Sequence, residues 1–90
     1  MELASAPESD LRDGQRAAQI CRRILEQHPD DFQTMEVLAA ALAETGDFSG
    51  AIEMAQRAVQ VSQTRGVPGA PEQIRKALDL YARGQPLRQP

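Results

Sequence analysis

The stretch LAAALAETGDFSGAIEMAQRA, residues 38–58, holds two alanine-rich runs on either side of the triplet Thr45-Gly46-Asp47. Each run spaces its apolar residues at three- and four-residue steps. Leu38, Ala39 and Leu42 precede the triplet, and Ala51, Ile52, Ala55, Ala58 and Val59 follow it. That period marks one face of an α-helix. Gly46 readily takes the left-handed conformation that ends a helix, and the Asp47 carboxylate can accept from the free amides that begin another. The stretch predicts two antiparallel helices joined by a tight turn. Small residues at Ala39, Ala51 and Ala58 let them approach closely, while Leu38, Leu42 and Phe48 fill the space beside the crossing.

The same logic extends in both directions. Upstream, Ala17, Ile20, Cys21, Ile24 and Leu25 form a helical stripe behind Asp13, a predicted N-cap. Pro29 lacks the amide hydrogen that would continue this helix, and Asp30 or Asp31 caps the next, whose stripe opens at Met35. Downstream, QTRGVPGAP (residues 63–71) reads as a loop from its glycines and prolines. Pro71 suits the first turn of a fourth helix carrying Ile74, Ala77, Leu78 and Tyr81, which stops at Gly84 and Pro86. The expected helices span 13–28, 31–45, 48–63 and 71–83. They make one domain over 10–84, between a disordered tail (1–9) and a flexible end (85–90).

Composition agrees with an all-α chain. Ninety residues make one small domain, and 41% are hydrophobic, yet Phe32, Phe48 and Tyr81 are the only aromatic residues. Alanine, the best helix former, is the commonest residue. The net charge of −3 argues against nucleic acid, whose phosphates require clustered cations. The balance is uneven: residues 1–64 hold five Arg against eleven acids, and residues 65–90 hold four Arg and one Lys against two. Such asymmetry can guide head-to-tail contact between copies. No stretch approaches the roughly 20 apolar residues of a membrane span. The opening MELASAPESD lacks the basic and apolar regions of a secretory signal. The default expectation is a soluble, cytoplasmic setting.

The polar cluster EQHPDDF, residues 26–32, is the one place that invites a search for chemistry. Each member has a structural task there. His28 suits the negative end of a helix dipole, and Asp30 and Asp31 suit the positive end of the next. A metal site wants three or four ligands, and the chain has no second histidine. Cys21 is the single cysteine, which excludes an internal disulfide and a paired-cysteine metal motif, and it reads as a small core residue. RGVPG lacks the spacing and the following lysine of a phosphate loop. A helix-turn-helix around AETGDFSG would offer a groove only Arg57 as a cation. These patterns predict no catalytic residue, no metal and no cofactor.

The two halves of the helical pattern are related. Asp13 and Asp47, Ala17 and Ala51, Cys21 and Ala55, Arg23 and Arg57, and Leu25 and Val59 each differ by 34 positions. A recurrence of that length, with small residues at fixed places, marks a repeat array. Met35, Leu38, Ala39, Leu42, Gly46, Phe48, Ala51 and Ala58 together resemble the tetratricopeptide repeat family. The match covers one full repeat over 32–65. Residues 13–31 look like the second helix of a preceding repeat, and residues 71–83 look like a terminal covering helix. The family more often has aromatics at the positions of Gly14 and Ala55.

The resemblance implies a short right-handed solenoid of about four antiparallel helices, acting as a non-catalytic protein–protein interaction module within a larger protein. It places ligand contacts on the inner face of the first helix of the full repeat, at Gln33, Glu36, Val37, Ala40 and Glu44. The family's best-known variant grips a C-terminal carboxylate with Lys and Asn on this face. This chain has no Asn, and its only lysine is Lys76. An acidic, partly apolar groove favours a basic or helical protein segment instead. The alternative is a structural cap or oligomerisation domain. Arrays of this kind need neighbours to bury a continuous core, so Ile20 and Ile24 require cover from residues 1–9, a second copy or an upstream repeat.

Overall fold

The computed structural model describes residues 8–86, with side chains from Arg12 onward. Four helices account for most of them: α1 (Glu8–Gln27), α2 (Phe32–Glu44), α3 (Phe48–Arg65) and α4 (Ala70–Ala82). The described residues contain no strand. Packing is sequential, α1 on α2, α2 on α3 and α3 on α4. The result is an all-α helical-repeat architecture.

Local signals set the joints. The amide of His28 makes the last helical bond of α1, donating to the Ile24 carbonyl at 2.7 Å, and Pro29 can make none. The amide of Asp31 then donates back to His28 O at 3.1 Å. Asp31 is the N-cap of α2, its carboxylate accepting from the Thr34 amide at 3.4 Å and the Thr34 hydroxyl at 2.8 Å. At the other end of α2, Gly46 has φ +89°. Its amide donates to Ala43 O at 3.0 Å, and the Asp47 amide donates to Leu42 O at 2.9 Å. These two bonds are the reversal that a left-handed glycine permits. Asp47 caps α3 by accepting from the Gly50 amide at 3.0 Å.

The core is built from small residues at the crossings and larger ones beside them. Ala39, Ala51, Ala55 and Ala58 are all at or below 1% exposure, and Met35, Leu38, Ile74 and Tyr81 surround them. Ser62 is also fully buried and stays satisfied because its hydroxyl donates to Val59 O at 2.9 Å.

The first helix differs from its sequence reading in two respects. It begins at Glu8, so Asp13 lies inside the helix and cannot be its N-cap. Nothing between Glu8 and Asp13 is a glycine or proline that would delay the start. Two residues of the expected tail are therefore helical; residues 1–7, and residues 87–90 at the other end, lie outside the described residues. The buried face is also rotated from the expected stripe. Gly14, Ala18 and Cys21 are buried and Leu25 is half-buried, whereas Ile20 and Ile24 are exposed. Gly14 explains the rotation. A Cβ there would stand 3.1 Å from Ala41 O and from Thr45 Cγ2, so the missing side chain lets α1 lie directly on the end of α2. The line that continues from Gly14 at helical steps is Ala18, Cys21 and Leu25.

Candidate partner-binding surface

Eight residues of α2 are buried: Phe32, Thr34, Met35, Leu38, Ala39, Ala41, Leu42 and Ala43. The rest of the helix is Gln33, Glu36, Val37, Ala40 and Glu44, the set expected to face a ligand. Their steps of three and four residues place them in one stripe along the helix. Val37 is 53% exposed, while Glu36, Ala40 and Glu44 are half-buried. The helix has no Lys or Arg, so the stripe is acidic with apolar residues between the acids.

The electrostatics tie this stripe to α4. Burial pushes the Glu36 carboxyl above its ordinary range. The Tyr81 phenol is pushed up by its own burial and then by the negative charges of Glu36 and Glu44. Both carboxylates of α2 therefore act on the same buried ring of α4. Sequence spacing alone does not assign Tyr81 to this surface. The clue is the stripe of α4, in which Ile74, Ala77, Leu78 and Tyr81 repeat the steps of Met35, Leu38, Ala39 and Leu42. That register makes α4 a counterpart of α2, displaced by 39 positions.

An apolar groove of about 310 Å³ runs along the edge of the stripe, between α1 and α2. Ala17, Ile20, Cys21, Ile24, Thr34 and Val37 line it. Val37 thus belongs both to the acidic stripe and to the groove. Ile20 is 52% exposed and Ile24 is 38% exposed. Burial pushes the Cys21 thiol up, which disfavours the thiolate and fits a packing residue.

The EQHPDDF cluster forms the α1–α2 joint. It borders a broad open depression of about 1170 Å³ that also touches the last turns of α3. Arg65 of α3 reaches across and donates from Nη1 to the Asp30 carbonyl at 3.0 Å. The bond is to backbone, so nothing in the sequence near Asp30 signals it. Among the described residues no group of three or more His, Cys, Asp or Glu could hold a metal ion. No helix there is long and apolar enough to cross a membrane.

Sequential packing of helices through alanines defines a helical-repeat protein. The family model for the tetratricopeptide repeat matches residues 10–65, and the chain belongs to that family. Comparison with curated proteins and with solved structures returned no match. Tetratricopeptide repeats generally serve protein–protein interaction and are typically not catalytic.

Proposed function

We propose that the chain binds a basic, helical segment of another protein along α2. The observation that supports this reading is the composition of the partly exposed stripe. Glu36 and Glu44 stand two turns apart, about 12 Å at 1.5 Å per residue, with Val37 and Ala40 between them. An amphipathic helix presenting Lys or Arg on either side of an aliphatic residue complements that pattern. The half-buried position of Glu36 strengthens the pairing, because a partly desolvated carboxylate gains more from a cation than a fully hydrated one. The absence of Asn, with Lys76 as the only lysine, sets this mode apart from recognition of a C-terminal carboxylate.

The test is a calorimetric titration with a synthetic helical peptide carrying leucines and lysines on one face, against its glutamate-substituted twin. The lysine peptide binds and weakens with added salt, as rim charge pairs do. Changing Glu36→Lys and Glu44→Lys together abolishes that binding. Equal affinity for the two peptides, or unchanged binding by the doubly reversed variant, overturns the reading. A second reading, self-association, is favoured by the exposed Ile20 and Ile24.

A further inference from the structure

The 34-residue offset makes α1 and α3 counterparts, yet their surroundings differ. Helix α3 is packed on two sides, by α2 and by α4, whereas α1 packs substantially against α2 alone. The line Gly14, Ala18, Cys21 and Leu25 faces α2, as the contacts around Gly14 establish. Its counterpart on α3 is Phe48, Ile52, Ala55 and Val59, the side that takes α4 by the same register. That leaves the side of α3 with Ala51, Ala58 and Ser62 to α2, and all three are at 0% exposure. Their counterparts on α1 are Ala17, Ile24 and His28, of which Ala17 is half-buried and the others are exposed. The bare face of α1 is thus the face that a helix of the α2 kind covers elsewhere in the same molecule.

Helix α4 shows the complementary deficit. Its counterparts of Phe32, Ala39 and Ala43, all buried on α2, are Pro71, Leu78 and Ala82. Pro71 and Leu78 are only half-buried, and Ala82 is exposed. These three lie on one line of the helix, at steps of seven and four residues. One end of the array therefore offers a helix of the α3 kind without its α2-type partner. The other offers a helix of the α2 kind without its α3-type partner.

We infer that copies of this chain stack head to tail, with α4 of one copy seated on α1 of the next. Ala82, Leu78 and Pro71 of the first copy meet Ala17, Ile20 and Ile24 of the second, and the joint forms the same kind of helix pair as α2 with α3. The incoming α4 also covers Val37, which closes the 310 Å³ groove. Charge also favours a head-to-tail contact: residues 65–90 carry four Arg and one Lys against two acids, and residues 1–64 five Arg against eleven. The interface is heterologous, so it propagates until the rotation closes a ring. This assembly does not rest on peptide binding; because it covers Val37, it competes with the peptide for that residue.

Sedimentation velocity across a wide concentration range tests it on the 90-residue chain. The expected result is a mass that rises with concentration past two copies. Ile24→Glu on the head face, or Ala82→Glu on the tail face, reduces the chain to a monomer with an unchanged helical spectrum. Both residues are exposed at least in part, so the monomer tolerates the change, and Ile20→Glu and Pro71→Glu serve as second variants of each face. Mixing the Ile24→Glu and Ala82→Glu variants gives a discrete 1:1 dimer, because each retains the face the other lacks. Three outcomes overturn the inference. One is a wild-type monomer at every concentration, as expected if a further helix of a longer polypeptide covers α1. Another is a closed dimer that Ala82→Glu leaves intact, which marks two heads joined. The third is a mixture that remains monomeric. Lysine-peptide binding retained by the Ile24→Glu monomer separates this result from the fate of the proposed peptide site.

Discussion

Gly14 and Ala41 lie so close that a Cβ built on the glycine would stand 3.1 Å from the carbonyl oxygen of the alanine. Two helices meet there backbone to backbone. The carbonyl is held in the helical ladder of α2 and has little room to give. Gly14→Leu forces the helices apart and is expected to lower stability by about 1–3 kcal/mol. Gly14→Ala gains up to ~1 kcal/mol of helix propensity and loses part of it to the contact, so its melting temperature stays near that of the wild type. A leucine variant as stable as the wild type would show that α1 does not lie against α2 in this way.

The α2–α3 crossing makes a parallel demand. Ala51 has no exposed surface, and Ala39 and Ala58 share the crossing. Ala51→Leu overpacks it and is expected to cost ~1–3 kcal/mol, several degrees in melting temperature for a domain of this size. Thermal denaturation followed by circular dichroism measures this directly.

Asp31 gives a pH-dependent contribution of known sign. Its carboxyl is held below the ordinary range, chiefly by the Thr34 hydroxyl, against an opposing effect of burial that is second in size, with the Thr34 and Gln33 amides and the charge of His28 adding to the lowering. The folded value is depressed, so its stabilisation is present above the ordinary aspartate range and is lost as pH falls through the folded value. Asp31→Ala is expected to cost ~1 kcal/mol at neutral pH through loss of the cap. The gap between variant and wild type should narrow as the solution is acidified. A gap that persists unchanged in acid would assign the effect to something other than the carboxylate.

Glu36 has the opposite sign. Burial raises its folded value, so its charged form opposes folding above that value, and the penalty disappears below the ordinary glutamate range. Glu36→Gln should therefore raise the melting temperature slightly at neutral pH and leave it unchanged in acid.

Much of this architecture is legible in the chain itself, because helix periods and caps act over three or four residues. An aspartate at 30 or 31 and Asp47 as caps, Gly46 as the reversal and Pro29 as a stop all follow from local chemistry, and the structure chooses Asp31. The five positions of α2 outside its buried set are those to which the family resemblance assigns ligand contacts, and three of them, Glu36, Ala40 and Glu44, are half-buried. Tyr81 and Arg65 escaped such reading for a different reason. Tyr81 comes under the charges of Glu36 and Glu44 only because α4 packs back on α3, and Arg65 meets a backbone carbonyl 35 positions away.

The sequence by itself determined that there are four helices, where they turn and which repeat they follow, since each of those choices is settled within a turn or two of chain. Only the tertiary structure decided which way α1 faces. Ala17, Ile20 and Ile24 look as fit for burial as Ala18 and Leu25. The contact at Gly14 turns the helix so that the larger aliphatics stay outside. That rotation is a property of two backbones meeting, and no single helix carries it.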